Sequence, residues 1–236
     1  MTLATLACAS GVGLFQTAGP DELAVQLANR VAAALNTALA ERGVASLALS
    51  GGRSPEPFLR HLATLPLDWA RIRVTLVDER WVPVEHPDSN AGLLRRCLPQ
   101  ALETAQWMPL YQGISPQADA GQVDLHLAGW LPLDVVVLGM GNDGHTASLF
   151  PGMPGLAQAL AVDAPQLCLA IPAQAGRAER LSLSGRALRT AGLQLLAISG
   201  DDKRRTLIRA LESRDAGLPI SAFLAPPLDI YYSRPG

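Results

Sequence analysis

The segment "LDVVVLGMGNDGHTASLFPGMPG", residues 133–155, decides how the rest of the chain is read. Its first half, 133–141, is apolar on both faces, the pattern of a strand inside a parallel sheet covered by helices. A turn follows in which Gly139, Gly141 and Gly144 take the spacing of a dinucleotide-binding fingerprint. That fingerprint requires a full crossover helix whose N-terminus holds a pyrophosphate. Here Pro151, Gly152, Pro154 and Gly155 leave space for one or two helical turns at most. Asp163, near the distance of a ribose-binding acid, ends no clear strand. The nucleotide reading is weak. The same glycines permit tight or left-handed backbone and leave space for a ligand, so the turn displays Asp143 and His145 at a strand end. Imidazole is the side chain whose unperturbed titration lies nearest neutrality, which suits His145 to general-base work with Asp143 orienting it.

Outward from this segment, strands alternate with helices. "DELAVQLANRVAAALNTALAERG" (21–43) reads as an amphipathic helix started by Pro20 and Asp21 and stopped by Gly43. "VASLALS" (44–50) is a strand, and Pro55 opens the next helix. "RIRVTLVDERW" (71–81) reads as one strand, "DSNAGLLRRCL" (88–98) as a helix, 99–116 as a looser region, and 117–130 as a helix. Strands are expected at 167–172, 180–184, 193–199 and 228–233, with a helix at 201–214. With no repeat or linker, the expectation is one α/β domain over 1–236. Its architecture is a Rossmann-like doubly wound, mostly parallel sheet with helices on both faces.

Among the 236 residues, 49% are hydrophobic and 17% charged, with a net charge of −2, so nothing draws the chain to nucleic acid or an anionic membrane. Cys8, Cys97 and Cys168 are odd in number, widely spaced and set in apolar or helical context, which reads as buried thiols in a reducing compartment. The N-terminus lacks the basic region of a signal peptide, and no apolar run is long enough for a membrane span. A cytoplasmic protein is expected. No His, Cys, Asp and Glu cluster has metal-ligand spacing, so no catalytic metal is expected.

Three more strand ends carry chemistry. In "SGGRSP", Ser50, the Gly51 and Gly52 N–H groups and Arg53 suit a phosphate monoester. The stretch lacks the Gly-Lys-Ser/Thr ending of a triphosphate loop. In "VDERW", Asp78 or Glu79 could hold Arg80 against a carboxylate or a developing oxyanion. Lys203, after "AISGDD", is the single lysine among 19 basic residues, a compact charge at a helix head that complements a phosphate.

Taken together, "LALSGGRSP", "VTLVDERWVPVEHPDSNAGLLRRCL", "VVVLGMGNDGHTASLFPG", "AERLSLS" and "ISGDDKRRTL" resemble the 6-phosphogluconolactonase family. That family lies within a sugar-phosphate group that also holds glucosamine-6-phosphate deaminases. The resemblance implies hydrolysis of 6-phospho-D-glucono-1,5-lactone in the pentose phosphate pathway without a cofactor. His145 would be the general base, Asp143 its partner, and Arg80, supported by Asp78 or Glu79, a contact to sugar or oxyanion. The Ser50–Arg53 turn, Lys203 and Arg180 would hold the phosphate, with Arg177 an alternative to Arg180. A small-molecule sugar phosphate is then the partner, and the enzyme a monomer or small homo-oligomer. The deaminase branch follows its histidine with an acid, whereas this chain has Leu149 or Phe150 there. A non-catalytic sugar-phosphate sensor is a further alternative, disfavoured by the intact Asp143 and His145.

Overall fold

Val135–Leu138 (β6) and Ala45–Leu49 (β2) are buried at every position, as expected of central strands covered on both faces. A computed structural model describes all residues except Arg53, Ala175, Arg214, Pro235 and Gly236. Before β2 come Leu3–Ala9 (α1), Gly13–Thr17 (β1) and Pro20–Arg42 (α2). After it come Glu56–Leu62 (α3), Ile72–Leu76 (β3), Asp78–Arg80 (β4), Asn90–Cys97 (α4), Pro99–Thr104 (α5), Gln106–Trp107 (β5) and Pro116–Ala128 (α6). Beyond β6 lie Leu156–Leu160 (α7), Cys168–Ile171 (β7), Arg180–Leu183 (β8), Gly185–Arg189 (α8), Leu193–Ser199 (β9), Asp201–Ser213 (α9) and Leu228–Ser233 (β10).

Seven strands form one parallel sheet in the order β1-β10-β9-β6-β2-β3-β5. From β2 the chain winds outward through α3 to β3, and from β6 it winds the opposite way to β9 and β10. Right-handed crossovers therefore put α3 and α9 on opposite faces. The doubly wound expectation holds, and the reversal point lies between the carboxyl ends of β2 and β6, where such sheets leave a crevice. Helix α2 buries Leu23, Leu27, Val31, Leu35 and Leu39 along one stripe and ends on Gly43, whose φ of 76° is the left-handed conformation of a helix stop.

The expected single strand over 71–81 is two strands in two sheets. Val77 is the hinge: its N–H donates to Leu49 of β2, while its carbonyl accepts from Leu183 of β8. Beyond it, β4 pairs antiparallel with β8, which pairs with β7, forming a small second sheet. The "loose" region 99–116 contains α5 and the two-residue edge strand β5. Helix α1, capped by the Thr2 hydroxyl, and edge strand β1 were not anticipated. No helix among the described residues is long and apolar enough to cross a membrane.

Candidate active site

A cleft of about 520 Å³ opens at the reversal point, walled by the turns after β2, β6 and β9 and by the small sheet. Ser50, Gly51, Gly52, Asp78, Arg80, His145, Arg180 and Lys203 all line it. These eight candidates come from five separated stretches of sequence, and the fold brings them to one place. Arg53 lies outside the described residues.

The turn after β6 is shaped around the histidine. The Gly141 N–H donates to the His145 carbonyl at 2.9 Å and the Gly144 N–H to the Gly141 carbonyl at 3.0 Å, closing a tight loop. A Cβ on Gly141 would stand 2.2 Å from the His145 ring and 2.6 Å from the Asp143 carboxylate, so only glycine leaves space for the pair. His145 Nδ1 lies 2.5 Å from Asp143 Oδ1, and the His145 backbone N–H reaches the same oxygen at 3.2 Å. A carboxylate at Nδ1 places the proton there and leaves the lone pair on Nε2, which has no partner among the described residues. Burial pushes the Asp143 carboxyl up, but the hydrogen bonds from the His145 ring and N–H outweigh it and hold the group below its ordinary value. Phe150, buried, lies 4.7 Å from the imidazole. The Pro- and Gly-rich stretch after His145 forms turns, and the first helix beyond it is α7.

The small sheet sorts the "VDERW" side chains in a way the sequence did not anticipate. Neither acid holds Arg80. The Arg80 guanidinium donates to the Asp88 carbonyl at 2.6 Å. Asp78 accepts from the Ser148 hydroxyl at 2.6 Å and lies 3.8 Å from Arg180. Glu79 is fully buried and accepts the N–H groups of Arg80, Asn90 and Ala91 and the Ser89 hydroxyl, so it serves the start of α4. Burial raises the Glu79 carboxyl, opposed by those backbone donors. Alternation along β4 explains the split, because Asp78 and Glu79 face opposite sides of the strand. The Nε atoms of Arg80 and Arg180 are buried with no partner among the described residues.

Ser50 is tied into the fold as well. Its hydroxyl donates to the Val137 carbonyl at 2.7 Å and accepts the Gly139 N–H at 3.1 Å, tying β2 to the turn after β6. It is a staple for the crevice, while the Gly51 and Gly52 N–H groups have no partner among the described residues. Lys203 stands in the first turn of α9, forms no ion pair among the described residues, and is held below the ordinary lysine value by burial alone. Two participants were missed: Ser148, which binds Asp78, and Asn90, whose amide donates to the Asp78 carbonyl and whose side chain abuts Gly51. The "DSN" triplet signalled Asn90 only as a helix start. Arg177 lies outside the cleft lining, 3.6 Å from Asp143.

The cleft thus presents an unpartnered imidazole nitrogen within a wall carrying Arg80, Arg180 and Lys203, a setting for a proton-transfer reaction on an anion. A Pseudomonas putida protein named 6-phosphogluconolactonase is 46% identical over 235 residues, covering 98% of this chain and 97% of its own length. One of the same name from Pseudomonas aeruginosa is 47% identical over 236 residues, 98% of this chain and 99% of its own. The crystal structure of a 6-phosphogluconolactonase from Shewanella baltica superposes with a TM-score of 0.88 at 34% identity, covering 95% and 98% of the two chains. A monomeric glucosamine-6-phosphate deaminase shares the fold at a TM-score of 0.75 and 17% identity, over 94% of this chain and 97% of its own. The family model described as glucosamine-6-phosphate isomerases/6-phosphogluconolactonase matches residues 18–229, and the chain belongs to that family.

Proposed function

We propose that this enzyme hydrolyses 6-phospho-D-glucono-1,5-lactone to 6-phosphogluconate, the lactone step of the pentose phosphate pathway. The observation that carries the reading is the Asp143-held His145, its Nε2 unpartnered among the described residues, in a cleft lined by Arg80, Arg180 and Lys203. His145 takes a proton from water as the oxygen attacks the lactone carbonyl. Asp143 stabilises the imidazolium that forms. Arg80 meets the developing oxyanion, and the proton passes to the ring oxygen as the ester bond breaks. The Gly51–Gly52 amides, Lys203 and Arg180 hold the phosphate. General-base assistance contributes roughly 10²–10⁴ in rate and one oxyanion donor on the order of 10²–10³, sufficient for an ester that already hydrolyses unaided.

An aldose–ketose isomerisation with amine release lacks its acid here, because Leu149 and Phe150 are buried and apolar. Asp78 supports the phosphate site through Arg180. The reaction takes place in the cytoplasm, consistent with three free thiols, two of them buried, and the enzyme acts as a monomer or small homo-oligomer. The test offers fresh 6-phosphogluconolactone and, separately, glucosamine 6-phosphate. Hydrolysis of the first above the spontaneous rate, with no ammonia from the second, is expected. Ammonia release, or no acceleration of lactone opening, overturns the reading.

A further inference from the structure

Asp143 has two carboxylate oxygens, and the base occupies one. The other, Oδ2, lies 3.6 Å from Nη2 of Arg177. Arg177 is carried by the connection between β7 and β8, where its N–H donates to the Gln174 carbonyl at 2.8 Å and its carbonyl accepts the Gln174 N–H at 3.1 Å. Its guanidinium carbon lies 4.1 Å from the centroid of the Phe150 ring. Phe150 is buried; the His145 imidazole lies 4.7 Å from its ring, and the Arg180 guanidinium carbon stands farther off, 5.4 Å from the centroid. The buried ring is thus a fixed platform shared by the base and by the cation that meets the base's partner.

We propose that Arg177 is a positioning residue for lactone hydrolysis, acting through Asp143 to hold and tune His145 rather than binding phosphate. This rests on the lactonase reading above. Arg177 holds Oδ2, which keeps Oδ1 on Nδ1 and aims the Nε2 lone pair into the cleft. Its positive charge lies against the Asp143 carboxylate, so its removal leaves that carboxylate's pull on the imidazolium unopposed. The charged groups of the adjoining cleft wall, among the described residues, are Arg180, Arg80 and Asp78 of the small sheet and Lys203 of α9. Arg180 is matched by Asp78, and none of these four forms an ion pair with Asp143. Arg177 and Asp143 are both partly exposed, so the pair contributes little to folding, and its effect lies in orientation and charge.

The experiment combines pH–rate profiles with NMR titration of the His145 ring, whose resonance is assigned by its loss in His145→Gln. Arg177→Ala is expected to lower kcat roughly 10- to 100-fold. KM for the phosphorylated lactone should change little, while the acid limb of the profile and the ring titration both move to higher pH. Arg177→Lys restores the acid limb, because the charge returns, but recovers kcat only in part, because the planar stack on Phe150 does not. An unmoved acid limb and ring titration in Arg177→Ala overturn the proposal. So does a rise in KM confined to the phosphorylated substrate, which makes Arg177 a phosphate ligand. If Arg177→Ala fails to fold, Arg177→Gln serves in its place with the same outcomes. Should the wild type fail to accelerate lactone opening, the functional reading falls, while the ring titration still tests the contact.

Discussion

At the residue scale the site depends on what is absent from one position. Gly141 leaves the space that the His145–Asp143 pair fills. Gly141→Ala is expected to keep the fold, since the turn is at the surface of the crevice, while kcat falls at least about 100-fold through displacement of His145, the proposed base. Circular dichroism alongside the assay separates the two effects. Lys203 makes the opposite argument, through a charge that the fold leaves without a carboxylate among the described residues. Its folded-state value lies below the unfolded one, so the charged form costs stability at neutral pH, and the cost declines as pH rises from the lowered value to the ordinary one. Lys203→Met should therefore raise thermal stability, by on the order of 0.5–1 kcal/mol. The same change should raise KM for the phosphorylated lactone and leave unphosphorylated gluconolactone unaffected. In the wild type, affinity for 6-phosphogluconate should decline as pH rises through a range below that of an ordinary lysine. Calorimetric titration at several pH values checks this, and a decline only in the ordinary lysine range would remove Lys203 from the anion site.

At the element scale the decisive event is the departure of the chain from the large sheet at Val77. It carries Asp78 and Arg80 onto a short strand beside the carboxyl ends of β2 and β6, and Glu79 anchors that strand to the start of α4. Glu79→Ala would leave buried N–H groups of Asn90 and Ala91 without their acceptor. A loss of about 2–3 kcal/mol in urea denaturation is expected, with kcat reduced because Arg80 and Asp78 lose their common support. The turn after His145 stores strain of a different kind. Ala147, lining the cleft, has a φ of 48°, a conformation that costs a residue with a Cβ about 1–2 kcal/mol. Ala147→Gly relieves that strain but frees the unfolded chain, so the expected net change in stability is under about 1 kcal/mol.

At the scale of the whole molecule, the proposed anion site joins both halves of the doubly wound sheet. The Gly51–Gly52 turn belongs to one half and Lys203 to the other, with the crevice between β2 and β6 as the seam. A ligand that spans the seam and binds only the folded state stabilises it by mass action, about 2.7 kcal/mol at a concentration of 100 Kd. In a chain of this size, that corresponds to a rise in Tm of several degrees. 6-Phosphogluconate should produce it and gluconate should not, and Lys203→Met should abolish the difference. Equal protection by both ligands would argue that the phosphate does not bridge the halves.

The amino-acid sequence by itself determined the features that depend on near neighbours. The stripe of α2 and its Gly43 stop, the apolar run of β6, the glycine turn with Asp143 and His145, and the single lysine at a helix head are all written within a few residues of each other. Periodicity and turn chemistry act at that range, so they can be read there. Edge elements such as β1 and β5 were illegible because short strands carry little pattern and owe their conformation to the neighbour they pair with. Only the tertiary structure decided which charge meets which. Asp78 went to Arg180 and Ser148, Glu79 to a helix start, Arg80 to a backbone carbonyl and Arg177 to Asp143. Coulombic and hydrogen-bond partners are chosen by distance in space. The crossovers that set those distances join strands far apart in the chain.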